Sequence, residues 1–430
     1  MTVRGAAVAG MKVAVVAETF SPAVNGVVNS VLRAVDHLAV RGHQAVVVAP
    51  SGESYQSRCG AQVEVVTVPS MRLPRYRRLA LARPGAELAS VLTRLAPDVV
   101  HLASPAVLGA AAGRAARALG IPSVAVFQTD LAAFARLYRV PGGPAAAWRV
   151  LRSVHGAADL TLAPSTVSAA MLRRHGIGPV ALWARGVDLT QFTPGRRDEG
   201  LRREWAPGGE LVVGVVARLA VEKRLHLLAG VARLPGVRLV VVGDGPRAAQ
   251  LARAMPEAVF LGQHTGTELG RIVASFDLFV HPGADETFGQ AVQEALAAGV
   301  PVVVAASGGP LDLVRHGENG WLWAGDDPAV LAAMVAGLRD DRRSLTAAAD
   351  RARTSVAHRT WARMGDELVE HYRTVLRGAS EPAPLSSVSW GAAQSRSTRA
   401  SQGRSSSPAS GRLPSTSSAP STSGSSVAIP

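Results

Sequence analysis

Two glutamates eight positions apart, Glu286 and Glu294 in GADETFGQAVQEALAAGVP (283–301), and two cations in RLAVEK (218–223), Arg218 and Lys223, are the residues of this chain best suited to chemistry on a ligand carrying both hydroxyls and phosphate. Phe288, Ala291, Val292, Ala295 and Leu296 recur at the spacing of one helix face. Gly299 and Pro301 then end that helix, the glycine as a cap and the proline as a residue that cannot continue it. A helix starting near Thr287 leaves Glu286 in the loop at its mouth and carries Glu294 two turns in, roughly 130° from the centre of the apolar stripe. One acid then meets a ligand at the helix N-terminus and the other meets a second part of it from the side. Taken alone, the pattern also fits a carboxylate that favours the helix dipole and a solvated flank residue.

Arg218 and Lys223 follow the run ELVVGVVA, so they emerge at the carboxyl end of a strand, where open α/β sheets bind ligands. A guanidinium that grips two oxygens beside an ammonium point charge suits a diphosphate, although a solvated loop pair would read the same way. In the first half the corresponding turn is ETFSPAVNGVVNSVL, where Gly26 would let backbone N–H groups approach a phosphate at a helix start, or would be an ordinary turn glycine. VVVGDGPRAAQL resembles a dinucleotide fingerprint at Gly243 and Gly245. Pro246, however, removes one N–H from the turn, and Gln263 stands where a ribose-binding acid belongs, so a tight strand-to-helix turn is the more economical reading. There is no D-x-D, no H-E-x-x-H and no histidine pair at ligand spacing, which removes support for metal-dependent chemistry; G-x-S-x-G and the Walker P-loop are also absent.

The elements that must hold these residues are legible as short valine-rich runs alternating with helical patterns. KVAVVAE, QAVVVAP, DVVHLA, IPSVAVF and DLTLAPS fill the first half, and ELVVGVVAR, VRLVVVGDG, AVFLG, DLFVHP and VPVVVAA fill the second. Runs that apolar imply strands buried on both faces of parallel sheets, and two series imply two doubly wound domains. GVDLTQFTPGRRDEGLRREWAPGGE (186–210) reads as the linker. The expected division is 1–187, 188–357, a helix over 358–378 crossing back to the first domain, and a Ser/Pro-rich tail (379–430) too poor in bulky apolar residues to fold.

The net charge of +14 is concentrated in the first 195 residues, whereas residues 196–378 are balanced. Within the basic half, MRLPRYRRLALARP (71–84) interleaves arginines with Leu73, Tyr76, Leu79 and Leu81. That composition suits an anionic membrane surface or a phosphorylated acceptor, and also a merely solvated face. With 4% aromatics and no nucleic-acid motif, nucleic acid is not an expected partner. The single cysteine, Cys59, excludes an internal disulfide and fits a reducing compartment. Because no run of 18 apolar residues lacks a charge, the expected location is cytoplasmic, peripheral on the inner face of the plasma membrane at most.

ETFSPAVNGVVNSVLRAVDHLAVRGH, DVVHLASP, GVDLTQFTP, RLAVEK, GDGP and the E-x7-E of ETFGQAVQE, in this order over roughly residues 11–375, resemble the retaining GT-B glycosyltransferases of family four. FQTD, HPGADETFGQAVQEALAAGVPVV and GGPLDLV are most similar to its actinobacterial members that use GDP-mannose to build glycolipids. The resemblance implies two Rossmann-like domains facing across a cleft. It also implies transfer of a hexose, mannose from GDP-mannose being favoured, to a hydroxyl of a lipid-linked or phosphorylated acceptor. A UDP-sugar with a small soluble acceptor, an NAD(P)-dependent oxidoreductase and a non-catalytic adaptor are the alternatives. By the same resemblance Arg218 and Lys223 hold the diphosphate, Glu286 meets sugar hydroxyls, and Glu294 meets the ribose. Gly26, Gly243, Thr287 and the backbone N–H groups of Phe288 and Gly289 also fall on the donor side. No cofactor or metal is implied, the leaving phosphate taking the acceptor proton. Where many relatives carry a histidine, VFQTD has Gln128, Thr129 and Asp130, which are acceptor-side candidates; His101, at the end of DVVH, is a further acceptor-side candidate or a structural strand-end histidine.

Overall fold

The computed structural model describes residues 10–21, 26–73, 76–82, 87–103 and 107–380. The Ser/Pro-rich tail lies outside the described residues, apart from the end of the last helix.

Across the first sheet the strands run Val180–Leu182, Leu160–Ala163, Ser123–Val126, Val99–Leu102, Lys12–Val16, Gln44–Ala49, Gln62–Thr67 and Tyr55–Gln56, all parallel except the last. Across the second they run Val259–Gly262, Val237–Val242, Leu211–Val216, Leu278–His281, Val302–Ala305 and Gly320–Trp323, all parallel. The valine runs are mostly buried, as strands covered by helices on both faces must be, except for the edge strand Val259–Gly262, which is only half-buried. In each sheet the strand order reverses beside the first strand, at Lys12–Val16 against Val99–Leu102 and at Leu211–Val216 against Leu278–His281. Such switch points open a crevice at the carboxyl ends of the strands. Each of the ten valine-rich runs contains a strand. The strand Gln62–Thr67 and the edge strands Val180–Leu182 and Gly320–Trp323 have no counterpart among those runs, because their short apolar stretches are broken by Glu64, a proline or an aromatic. The basic segment 71–84 falls largely on an antiparallel hairpin of Ser70–Leu73 and Tyr76–Ala82.

The last helix, Trp361–Ser380, returns to the first sheet, where Leu368, Val369, Tyr372 and Val375 join the core built on Lys12–Val16. Trp183 Nε1 donates to Met364 O at 2.7 Å. Tyr372 also closes over His101, with 2.6 Å between its hydroxyl and His101 Nδ1. This corrects the acceptor-side expectation for His101. It lies inside its strand, 2% exposed, with Trp183 and Tyr372 edge-on to its ring, and burial lowers its pKa to about 4. Its bonds are therefore spent on packing the returning helix. No helix among the described residues is long and apolar enough to cross a membrane.

Candidate active site

The helix bearing Glu294 is Gln290–Ala297, three residues shorter at its start than the apolar spacing predicts. Gly289 is the N-cap in the left-handed region at φ +98°, a conformation that Phe288 and Thr287 cannot continue as helix. Thr287 and Phe288 consequently form a bend. The Phe288 side chain is buried in the second core, and Thr287 Oγ1 donates to Gln128 O at 3.2 Å, tying the bend to the first domain. The N–H of Phe288 thus belongs to the loop before the helix and not to its first turn.

At the carboxyl end of Leu278–His281 the chain turns so that Glu286 Oε1 meets His281 Nε2 at 3.0 Å and pairs with Lys223 Nζ. Burial alone would raise the Glu286 carboxyl, but the Lys223 charge and the His281 bond outweigh it and hold the group well below the ordinary glutamate range. Glu286 is thereby a permanent carboxylate, an acceptor for hydroxyls. Arg218 stands exposed at the mouth, 63% of its side chain accessible, with Glu222 at 4.0 Å. Gly243 lies where the next strand ends, and a Cβ there would stand 1.9 Å from Ala217 O; this close approach is what the GDGP turn requires.

Gly26, Arg218, Lys223, Gly243, Glu286, Gly289 and Glu294, all nominated by sequence, line one cavity of about 650 Å³. Gly26, Arg218, Lys223 and Glu286 are shared with an adjoining cavity of about 520 Å³ that Gln128, Thr129, Asp130 and Thr287 enclose from the other side. Gln128 is buried and fully engaged, its Nε2 donating to Ala103 O at 2.8 Å. Asp130 caps the helix Leu131–Leu137 by accepting from Ala133 N at 2.8 Å. Both position the loop, and of Gln128, Thr129 and Asp130 only Thr129 has no side-chain hydrogen bond within the described residues.

Four participants escaped the sequence reading. His281 is visible only as a strand-end histidine. Arg185 stands in LWARGVD before the linker, a lone cation after an apolar run, and its guanidinium reaches Gly26 O at 3.1 Å and Gln128 Oε1 at 2.6 Å. Glu18, at the end of the first strand, lines the second cavity and accepts from Leu108 N and Gly109 N at 2.5 and 3.2 Å. Glu222 is buried and accepts from Tyr138 Oη at 3.2 Å, a second tie across the cleft. Among the described residues no three His, Cys, Asp or Glu side chains come together as a metal site.

Glu294 is half-buried, not a solvated flank residue, and accepts from Gln290 Nε2 at 3.1 Å. Burial pushes its carboxyl up to about 7, against smaller opposing contributions from Gln290 and Arg33. Unfolded, it titrates near 4.5; the folded protein therefore holds the extra proton between those two values, and its stability falls as pH rises through that window. Glu294→Gln removes this penalty. Thermal melting of the ligand-free variant should exceed that of the parent at pH 8 and match it at pH 5. Equal shifts at both pH values would contradict the assignment.

The chain matches two family models, "Glycosyltransferase Family 4" over residues 24–191 and "Glycosyl transferases group 1" over residues 197–355. It is 48% identical over 370 residues to the GDP-mannose-dependent alpha-mannosyltransferase of Mycolicibacterium smegmatis, covering 85% of this chain and 98% of that protein. It is 44% identical over 380 residues to the enzyme of the same description from Corynebacterium glutamicum, covering 87% and 92%. Among solved structures, sucrose-phosphate synthase from Thermosynechococcus elongatus superimposes with a TM-score of 0.71 at 18% identity, over 86% of this chain and all of that one. Anabaena HepE in complex with UDP and glucose gives 0.68 at 20% identity, over 85% and 100%.

Proposed function

This chain belongs to the family 4 glycosyltransferases and has their two-domain GT-B fold, and from that premise we propose that its cleft moves mannose from GDP-mannose to an acceptor hydroxyl with retention at the anomeric carbon. The observation that carries the reading is the convergence of Arg218, Lys223, Glu286 and Glu294 on one cavity at the strand-order switch of the second sheet. The donor preference is supported by the relatives named above. The oxidoreductase alternative loses its basis with the family match.

In this reading the diphosphate lies between Arg218 and Lys223, and the ionised Glu286 accepts from sugar hydroxyls. Glu294 accepts from the ribose. Beyond it a cavity of about 440 Å³, walled by Leu32, Phe192, Leu269 and Trp361, receives the base. As the sugar–phosphate bond breaks, negative charge grows on the leaving phosphate, and cations fixed at that point stabilise it without reorganisation. The same phosphate takes the acceptor proton, so no metal and no dedicated base is required.

The acceptor is a lipid-linked or phosphorylated hydroxyl compound, met at the cytoplasmic face of an anionic membrane. This part rests on the composition of 71–84, of which Pro74, Arg75, Arg83 and Pro84 lie outside the described residues. A single assay tests it: turnover of GDP-mannose on anionic vesicles in excess chelator. Activity should persist without added metal. Changing Arg75, Arg77 and Arg78 to serine should release the protein from the vesicles and leave GDP affinity unchanged, since each basic residue near such a surface contributes about 1 kcal/mol. Loss of turnover to chelator, or equal vesicle binding by mutant and parent, would refute the corresponding part.

A further inference from the structure

Several half-buried arginines of this protein have their charge met inside the fold. Arg33, Arg202 and Arg224 each face a carboxylate, and Arg353 is engaged by three main-chain carbonyls, those of Leu189, Phe192 and Ala297. Arg185 has neither. Among the described residues it forms no ion pair, and two of its guanidinium nitrogens hold Gly26 O and the Gln128 amide oxygen, leaving part of a five-donor fork toward the 520 Å³ cavity that it lines. Glu286 contributes charge at longer range, but that carboxylate is already committed to Lys223 and His281. Burial lowers the Arg185 pKa to about 10, which still leaves it cationic at neutral pH. A desolvated, unpaired cation is costly unless a ligand completes it.

We propose that Arg185 is a phosphate-binding residue of the cleft, completed by an anionic phosphoryl group at the junction of the two cavities. It rests on the transferase reading for the source of that group, which is either the diphosphate of the sugar nucleotide or a phosphoryl carried by the acceptor. Both fit, because Arg218 and Lys223 line the same cavity and a guanidinium held along one side by Gly26 and Gln128 presents the rest of its fork to a tetrahedral anion. The main chain at this point is fastened to the helix that carries Glu294. Gln293 Nε2 donates to Arg185 O at 3.0 Å, and Gln290 Nε2 donates to Gly186 O at 3.2 Å. An anion seated on Arg185 is therefore registered against the residue assigned to the ribose.

The test is calorimetry on Arg185→Gln and Arg185→Lys in the full chain, with melting temperature recorded for each. GDP is titrated first, and inorganic phosphate is then titrated with and without saturating GDP. Arg185→Gln should weaken at least one of these bindings by about tenfold or more, and Arg185→Lys, which keeps the charge, should recover much of the loss. A loss confined to GDP assigns the donor diphosphate; a loss confined to phosphate on the GDP complex assigns an acceptor phosphoryl. A parent that ignores GDP but binds phosphate through Arg185 fails the transferase reading and keeps this one. Unchanged affinities in Arg185→Gln, equal losses in both variants alongside lowered melting, or a parent that binds neither anion would overturn it.

Discussion

Arg218→Ala and Lys223→Ala are each expected to lower turnover by about 100-fold or more, the scale for removing one preorganised stabiliser of transition-state charge. The two losses should differ in kind. Arg218 is exposed and, among the described residues, its only ion pair is the long one to Glu222, so its removal should leave melting and the remaining cleft geometry unchanged. Lys223 is partly buried and is the main counter-charge of Glu286, so Lys223→Ala also releases the carboxyl from its depressed range. The acid limb of the pH–rate profile should then move upward in Lys223→Ala alone. Steady-state kinetics across pH on both variants check this, and near-normal rates in either would remove the diphosphate assignment.

The two glutamates should fail in different ways. Glu286→Gln keeps the shape of the side chain but replaces an acceptor-only carboxylate with an amide facing Lys223 and His281. Because the sugar must be held as it reorganises, turnover should fall strongly while GDP still binds. Glu294 is assigned to the ribose, which is held alike in ground and transition states, so Glu294→Gln should weaken GDP binding by roughly 1.5 to 3 kcal/mol and act mainly on KM. This is the variant expected to be more stable than the parent at pH 8, so a gain in melting temperature would accompany a loss of affinity, as at other sites where function is held at a cost in stability. If Glu286→Gln loses GDP affinity as badly as Glu294→Gln, the division of labour is wrong.

What could be read from the sequence was whatever periodicity or local spacing encodes. The valine runs announce buried parallel strands because both of their faces must be apolar. The positions of Arg218 and Glu286 follow once each is placed after such a strand. The start of the Glu294 helix was misplaced because apolar spacing continues through Phe288, while the backbone is broken by the left-handed Gly289. For His101 the sequence leaves a cleft role and a structural role open, because the residue that buries it, Tyr372, arrives from 271 positions away. Arg185 and His281 depend on the same kind of distance: the partners that give each a role, Gln128 and Gly26 for one and Glu286 with its Lys223 for the other, are brought in by the fold. Asp130 was the missed local signal, an acid directly before LAAFARL that caps the helix it precedes.

The proposed fit of this cleft to a guanosine diphosphate sugar is tested by thermal stabilisation of the full chain by a panel of GDP-mannose, GDP, UDP-glucose and NAD in excess chelator. A ligand bound only by the folded state raises the melting temperature in proportion to its saturation. A concentration-dependent rise is expected with GDP-mannose and GDP that exceeds any rise with UDP-glucose, is absent with NAD, and is sharply reduced in Lys223→Ala. Stabilisation by UDP-glucose or NAD in preference to GDP-mannose, or an undiminished GDP-mannose shift in Lys223→Ala, would contradict it.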